Sequence, residues 1–84
     1  MADQIARTPK QVGNAVRRHR RMKGMRQEDL GAKTRLRQAT ISGLEAGESG
    51  TQLRTLFAVL TALDLELVIR PRTKISNEKI EDLF

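Results

Sequence analysis

Residues 38–46, QATISGLEA, carry the pattern of a helix face that reads base edges. As a helix, this stretch turns Ile41 and Leu44, three apart, to one inward side. Gln38, Ala39, Ser42 and Gly43 then fall on the opposite side. These residues bring no bulk and no negative charge. Glutamine pairs bidentately with adenine, serine donates or accepts, and alanine suits a thymine methyl. The chemistry on offer is recognition in a DNA major groove, not bond making.

Catalytic chemistry finds little to use. His19 is the one histidine, with no second histidine, cysteine or clustered carboxylate placed to help it. Its spacing fits a packed or half-buried side chain. The ten Asp and Glu residues form no cluster of metal-ligand spacing. Without cysteine there is no thiolate site and no disulfide. Trp and Tyr are absent, which argues against a stacking platform for single-stranded nucleic acid. The expectation is a protein that is not an enzyme, with no metal, no cofactor and no small-molecule ligand.

Charge points to a polyanion. The formal net charge is +6, and it is uneven: residues 1–44 hold eleven Lys or Arg against three Asp or Glu, and residues 45–84 hold five against seven. The run Arg17-Arg18-His19-Arg20-Arg21 is the densest part. Arg17, Arg18, Arg21 and Lys23 lie on the outer face of their helix, where part of the set faces phosphate and the rest is solvated. No apolar run is long enough for a membrane, and residues 1–10 lack the apolar centre of a signal peptide, so a cytoplasmic site of action is expected.

Four helices must position these groups. The first starts at Thr8-Pro9-Lys10-Gln11, with Thr8 as cap, Pro9 at the first helical position and Gln11 completing a capping box; it stops at Gly24. Its inner stripe is Val12, Ala15, Val16, His19 and Met22. The second helix spans about 27–34, with Leu30 and Ala32 as its apolar face, and Glu28 and Asp29 suit its positive end. Gln27 and the free amides beside it can grip a phosphate. A break at Arg35-Leu36 leads to the third helix, giving helix-turn-helix spacing. Arg20 lies at the edge of the first helix's inner stripe and Glu45 closes the third, so a pair between them would clamp the two together. After the glycines at 47 and 50, Thr51 caps a fourth helix whose stripe is Leu53, Leu56, Phe57, Leu60 and Leu63.

Residues 65–70 change period. Leu65, Leu67 and Ile69 alternate with Glu66, Val68 and Arg70, a strand pattern that Pro71 ends. A lone strand is not stable in water; pairing with the same strand of a second copy about a two-fold axis solves this. The dimer strand is therefore expected on Leu65, Leu67, Val68 and Ile69. The organisation expected is a flexible arm over 1–7, a DNA-binding and dimerisation domain over 8–71 and a flexible tail over 72–84. In that tail Ile80, Leu83 and Phe84 offer a docking peptide that orders on a partner.

Residues 15–47, AVRRHRRMKGMRQEDLGAKTRLRQATISGLEAG, resemble the helix-turn-helix of the phage-repressor superfamily of lambda and Cro type, often called XRE. RQATISGLE followed by TQLRTLFAVLTALDLELVI is similar to HipB-type antitoxins, the DNA-binding partners of HipA-type serine/threonine kinase toxins. The resemblance implies a mainly α, four-helix fold with one C-terminal strand paired across a homodimer. It implies a repressor that binds double-stranded operator DNA, autoregulates its operon and holds a HipA-like kinase; a stand-alone regulator of the same superfamily is the alternative. It also implies residue roles: Arg37, Gln38, Ala39 and Ser42 at the bases, Gln27 and Thr40 at phosphates, and Arg20 with Glu45 as a structural ion pair. Three positions depart from the family pattern. Arg26 replaces the usual capping Thr or Ser, Arg35 replaces the usual turn glycine, and Gly43 removes a side chain from a base-reading position.

Overall fold

The computed structural model describes residues 3–72. The tail residues Ile80, Leu83 and Phe84 lie outside that range. Four helices follow in order: α1 Pro9–Met22, α2 Gln27–Thr34, α3 Gln38–Ala46 and α4 Leu53–Ala62. α3 packs against both α1 and α2, and α4 packs against α2.

Helix boundaries follow from local chemistry. The Thr8 hydroxyl accepts from the Gln11 backbone amide at 3.1 Å, and Pro9 occupies the first turn, where its missing N–H costs nothing. The Gln11 side chain reaches back to the amide of Arg7 instead of that of Thr8. Arg26 provides no side-chain cap to α2. The exposed acids take over: the Asp29 carboxylate accepts from the Arg26 amide at 2.8 Å, and the Arg26 guanidinium pairs with Glu28 at 2.9 Å and Asp29 at 3.3 Å. Thr51 does not cap α4; Gln52 precedes that helix and its side chain makes no capping bond, while the Thr51 hydroxyl turns back to the Glu48 carbonyl at 3.3 Å.

Arg35 ends α2 in the left-handed region, at φ 60 and ψ 28. The turn needs that conformation because the Leu36 amide bonds back to the Gly31 carbonyl at 3.0 Å, and the Arg35 amide to Ala32. A side chain there costs about 1–2 kcal/mol that glycine avoids, against the roughly 0.5–1 kcal/mol of extra chain entropy that glycine loses on folding. Arg35→Gly should therefore raise the urea midpoint, by up to about 1 kcal/mol of stability. A lower midpoint would show that the Arg35 side chain contributes more than its backbone costs.

The core is Val16, Leu30, Ile41, Leu44, Val59 and Leu63, with Val12, Met25, Leu36, Leu56, Ala62 and Leu65 packed around it. Three details differ from the stripes expected. On α1, Met22 is exposed, and the buried arc is filled by Gly13, Val16 and Arg20. On α2, Ala32 is exposed and Gly31 is buried. On α4, Val59 and Leu63 sit at the centre of the buried arc, leaving Leu53 and Phe57 at its far edge, 68% and 46% exposed.

Residues 65–70 are irregular, and no strand occurs among the described residues. A strand is defined by hydrogen bonds to a neighbouring strand, and among the described residues the segment has no such neighbour. Asp64, at φ 58, turns the chain out of α4, and the Leu65 amide bonds back to Leu60 at 2.8 Å. Leu67, Val68 and Ile69 are exposed beyond it. This segment and the arm from Asp3 to Thr8 line one groove, shared with Val12, Ala15, Leu56 and Leu60.

Candidate nucleic-acid interface

α3 is anchored on one side and free on the other. Ile41 and Leu44 are buried, and Gln38, Ala39, Thr40 and Ser42 are exposed, as is Arg37 at the N-cap. Among the described residues, none of these five side chains makes a hydrogen bond within the domain. Their polar groups remain available to a ligand. Gly43 does not belong to that face. It is buried, and a Cβ built on it would lie 2.5 Å from the Glu48 carboxylate. No base-reading position is lost there.

The inner end of α3 is held by Glu45, which is 1% exposed. Arg20, on α1, grips it bidentately: Nε donates to Oε2 at 2.6 Å and Nη2 to Oε1 at 3.0 Å. The remaining arm of Arg20, Nη1, donates to the Met25 carbonyl at 2.7 Å. Two further donors reach Oε1, Gln27 Nε2 at 3.2 Å and Arg17 Nε at 3.4 Å. Burial alone would push the Glu45 carboxyl up. The hydrogen bonds from Arg20, Gln27 and Arg17, with the charge of Arg20, outweigh burial and hold it below the ordinary carboxylate range. The Arg20 guanidinium is correspondingly raised, chiefly by its hydrogen bond to Glu45.

The basic face of α1 divides. Arg18, Arg21 and Lys23 are exposed. Arg17 is half-buried because its Nε is turned to Glu45, yet it also lines a shallow surface depression with Asn14, Arg18 and Arg21. Gln27, the first residue of α2, faces the same carboxylate and is not directed freely outward. Sequence reasoning treated Arg17 and Gln27 as separate. Their meeting on one oxygen joins residues 28 and 18 positions away from Glu45. The available signal was phase: Arg17 and Arg20 stand three apart, on one side of α1.

The described residues contain no group of three or more His, Cys, Asp and Glu placed to hold a metal ion. None of their helices is long and apolar enough to cross a membrane.

A helix-turn-helix family model (HTH_3) matches residues 16–69. The chain is 33% identical over 81 residues to "Antitoxin HipB" of Escherichia coli K12, spanning 96% of this chain and 92% of that protein. The antitoxin HipB of Escherichia coli O6:H1 matches at the same identity, over 86% of its length. Among solved structures, the protein in a "HipB-O4 20mer complex" superposes with a TM-score of 0.78 at 32% identity, covering 84% of this chain and all of that one. The chain in a "Structure of HipA-HipB-O2-O3 complex" gives the same values.

Proposed function

From the premise that the chain belongs to the helix-turn-helix family, among the relatives of the HipB antitoxins, we propose that it is a sequence-specific operator-binding repressor and the antitoxin of a HipA-like serine/threonine kinase toxin. The observation that carries this reading is α3 itself: buried at Ile41, Leu44 and Glu45, and exposed, with side chains that make no hydrogen bond within the described residues, at Arg37, Gln38, Ala39, Thr40 and Ser42. In this reading Arg37, Gln38, Ala39 and Ser42 meet base edges, while Thr40, Gln27, Arg17, Arg18, Arg21 and Lys23 meet phosphates. The complexes of the HipB relatives with O4 and with HipA and O2–O3 support DNA and kinase as the two partners.

A single recognition helix reads only a few base pairs, so a dimer is part of the proposal. Leu65, Leu67, Val68 and Ile69 would pair with their copies across a two-fold axis, where exposed apolar side chains and unpaired backbone find partners together. Two recognition helices would then enter successive major grooves about 34–36 Å apart on a palindrome.

Binding to the duplex upstream of its own gene, compared with a random duplex, tests the reading. Gln38→Ala should weaken operator binding by about 1–3 kcal/mol and leave random-duplex binding unchanged. Equal loss on both would remove Gln38 from the readout. Purification of the tagged protein from its native cells should yield a kinase-like protein in stoichiometric amount. Recovery of the chain with DNA alone would favour the stand-alone regulator.

A further inference from the structure

We propose that Glu45 is a positioning residue for DNA binding, its Oε1 holding the side chains of Arg17 and Gln27 together as one phosphate clamp. The inference rests on the DNA-binding reading above and adds to it a joint site and the residue that builds it. An acid near a DNA-binding surface ordinarily repels phosphate. Glu45 escapes this because it is buried and Arg20 neutralises it bidentately. Its Oε1 then accepts from two more donors on two different helices, Arg17 on α1 and Gln27 on α2.

Each donor keeps capacity for a ligand. Arg17 uses only Nε on Glu45, and its side chain is 41% exposed. A guanidinium has five N–H groups, so those on its two Nη atoms remain. Gln27 Nε2 gives one hydrogen to Glu45 and has a second. The same bond fixes which way the amide is flipped, setting its NH2 group, not its carbonyl, toward the Glu45 oxygen that Arg17 also meets. A free glutamine could turn its carbonyl toward a phosphate and be repelled. Because both donors end on one oxygen atom, at 3.4 and 3.2 Å, their donating nitrogens can be no farther apart than those two bonds laid end to end, a span that the oxygens of one phosphate group can bridge. Arg17 also joins this point to the Arg18 and Arg21 side of α1, since all three line the same depression.

The test is a set of affinities at several salt concentrations, on the upstream duplex and on a random duplex, for Arg17→Ala, Arg17→Lys, Gln27→Ala and the Arg17→Ala/Gln27→Ala pair. Each alanine variant should lose about tenfold on both duplexes alike, because phosphate carries no sequence. The pair should lose little more than either alone, since the clamp is lost once. Arg17→Ala should lower the salt slope by about 1, with no further fall in the pair. Arg17→Lys keeps the charge and lacks the Nε that rests on Glu45, so it should lose nearly as much as Arg17→Ala. Unchanged affinity in Arg17→Lys, or losses that multiply in the pair, overturns the clamp and leaves the DNA-binding reading intact. A parent protein that binds neither duplex overturns both. Glu45→Gln is the direct variant, but it also orphans Arg20; the Arg17→Lys result decides the matter without it.

Discussion

Glu45→Gln should unfold the domain at urea concentrations where the parent remains folded. The substitution keeps the shape of the side chain and removes its charge, leaving Arg20 buried at 6% exposure with no counter-ion. Breaking a buried pair from one side costs about 3–5 kcal/mol. A domain of this size has about 5–15 kcal/mol in all, so the shift should be large. Replacing Arg20 and Glu45 together by methionine should recover much of the loss, because neither charge is then stranded. The pH dependence has a definite sign. Glu45 titrates below the usual 4.5 of a glutamate, so its contribution is complete above that pH and is lost as pH falls through its lower folded value. Urea midpoints followed by circular dichroism should thus show parent and Glu45→Gln converging below about pH 4.5. A variant as stable as the parent at pH 7 would rule out this role for the pair.

Gly13→Ala should be the second severe change, although alanine is worth about 1 kcal/mol more than glycine inside a helix. A Cβ on Gly13 would stand 2.4 Å from the Leu44 carbonyl oxygen and 2.6 Å from that of Glu45. Both obstacles are backbone, so α1 and α3 must separate. Overpacking of this kind costs about 1–3 kcal/mol and sometimes more. Separation would also stretch the bonds from Arg17 and Arg20 to Glu45, which places the expected loss at the upper end. Gly43→Ala is the matched control. The nearest atoms to its Cβ are the far end of the exposed Glu48 side chain, which can swing away, so its stability should change little or rise. Equal midpoints for Gly13→Ala and the parent would mean that the helices can part without cost.

Sequence reasoning succeeded where information is local or carried by side-chain type. Thr8 and Pro9 announce the start of α1, and glycine at 24 and 47 takes the left-handed conformations that end α1 and α3. Arg35 could be marked as a departure because the family that the sequence resembles carries glycine in that turn, and its φ of 60 is where glycine would be unstrained. The Arg20–Glu45 contact was legible from phase along two helices. Gly13 and Gly31 were not, because a close backbone approach leaves no side chain to read. Leu53 and Phe57 were misplaced because a leucine-rich stripe wider than the buried arc does not say where the arc is centred. Residues 65–70 have a strand's alternation, yet alternation alone supplies no hydrogen-bond partner, and no strand occurs among the described residues. The convergence of Arg17 and Gln27 on one oxygen depends on how three helices meet, which no single stretch encodes.

The outer face of α3 has a consequence for evolution. The side chains of Arg37, Gln38, Ala39, Thr40 and Ser42 are exposed and make no hydrogen bond of the domain's own among the described residues. Exchanges at such positions usually alter stability by no more than about 0.5 kcal/mol. The buried side chains that hold α3 in place sit behind it or at its far end, at Ile41, Leu44 and Glu45. If this face reads the bases as proposed, target preference can therefore drift while folding stays intact. Duplicated copies of such a gene could diverge to separate targets inside one cell, each change tested on DNA alone and none having to pass first through a damaged fold.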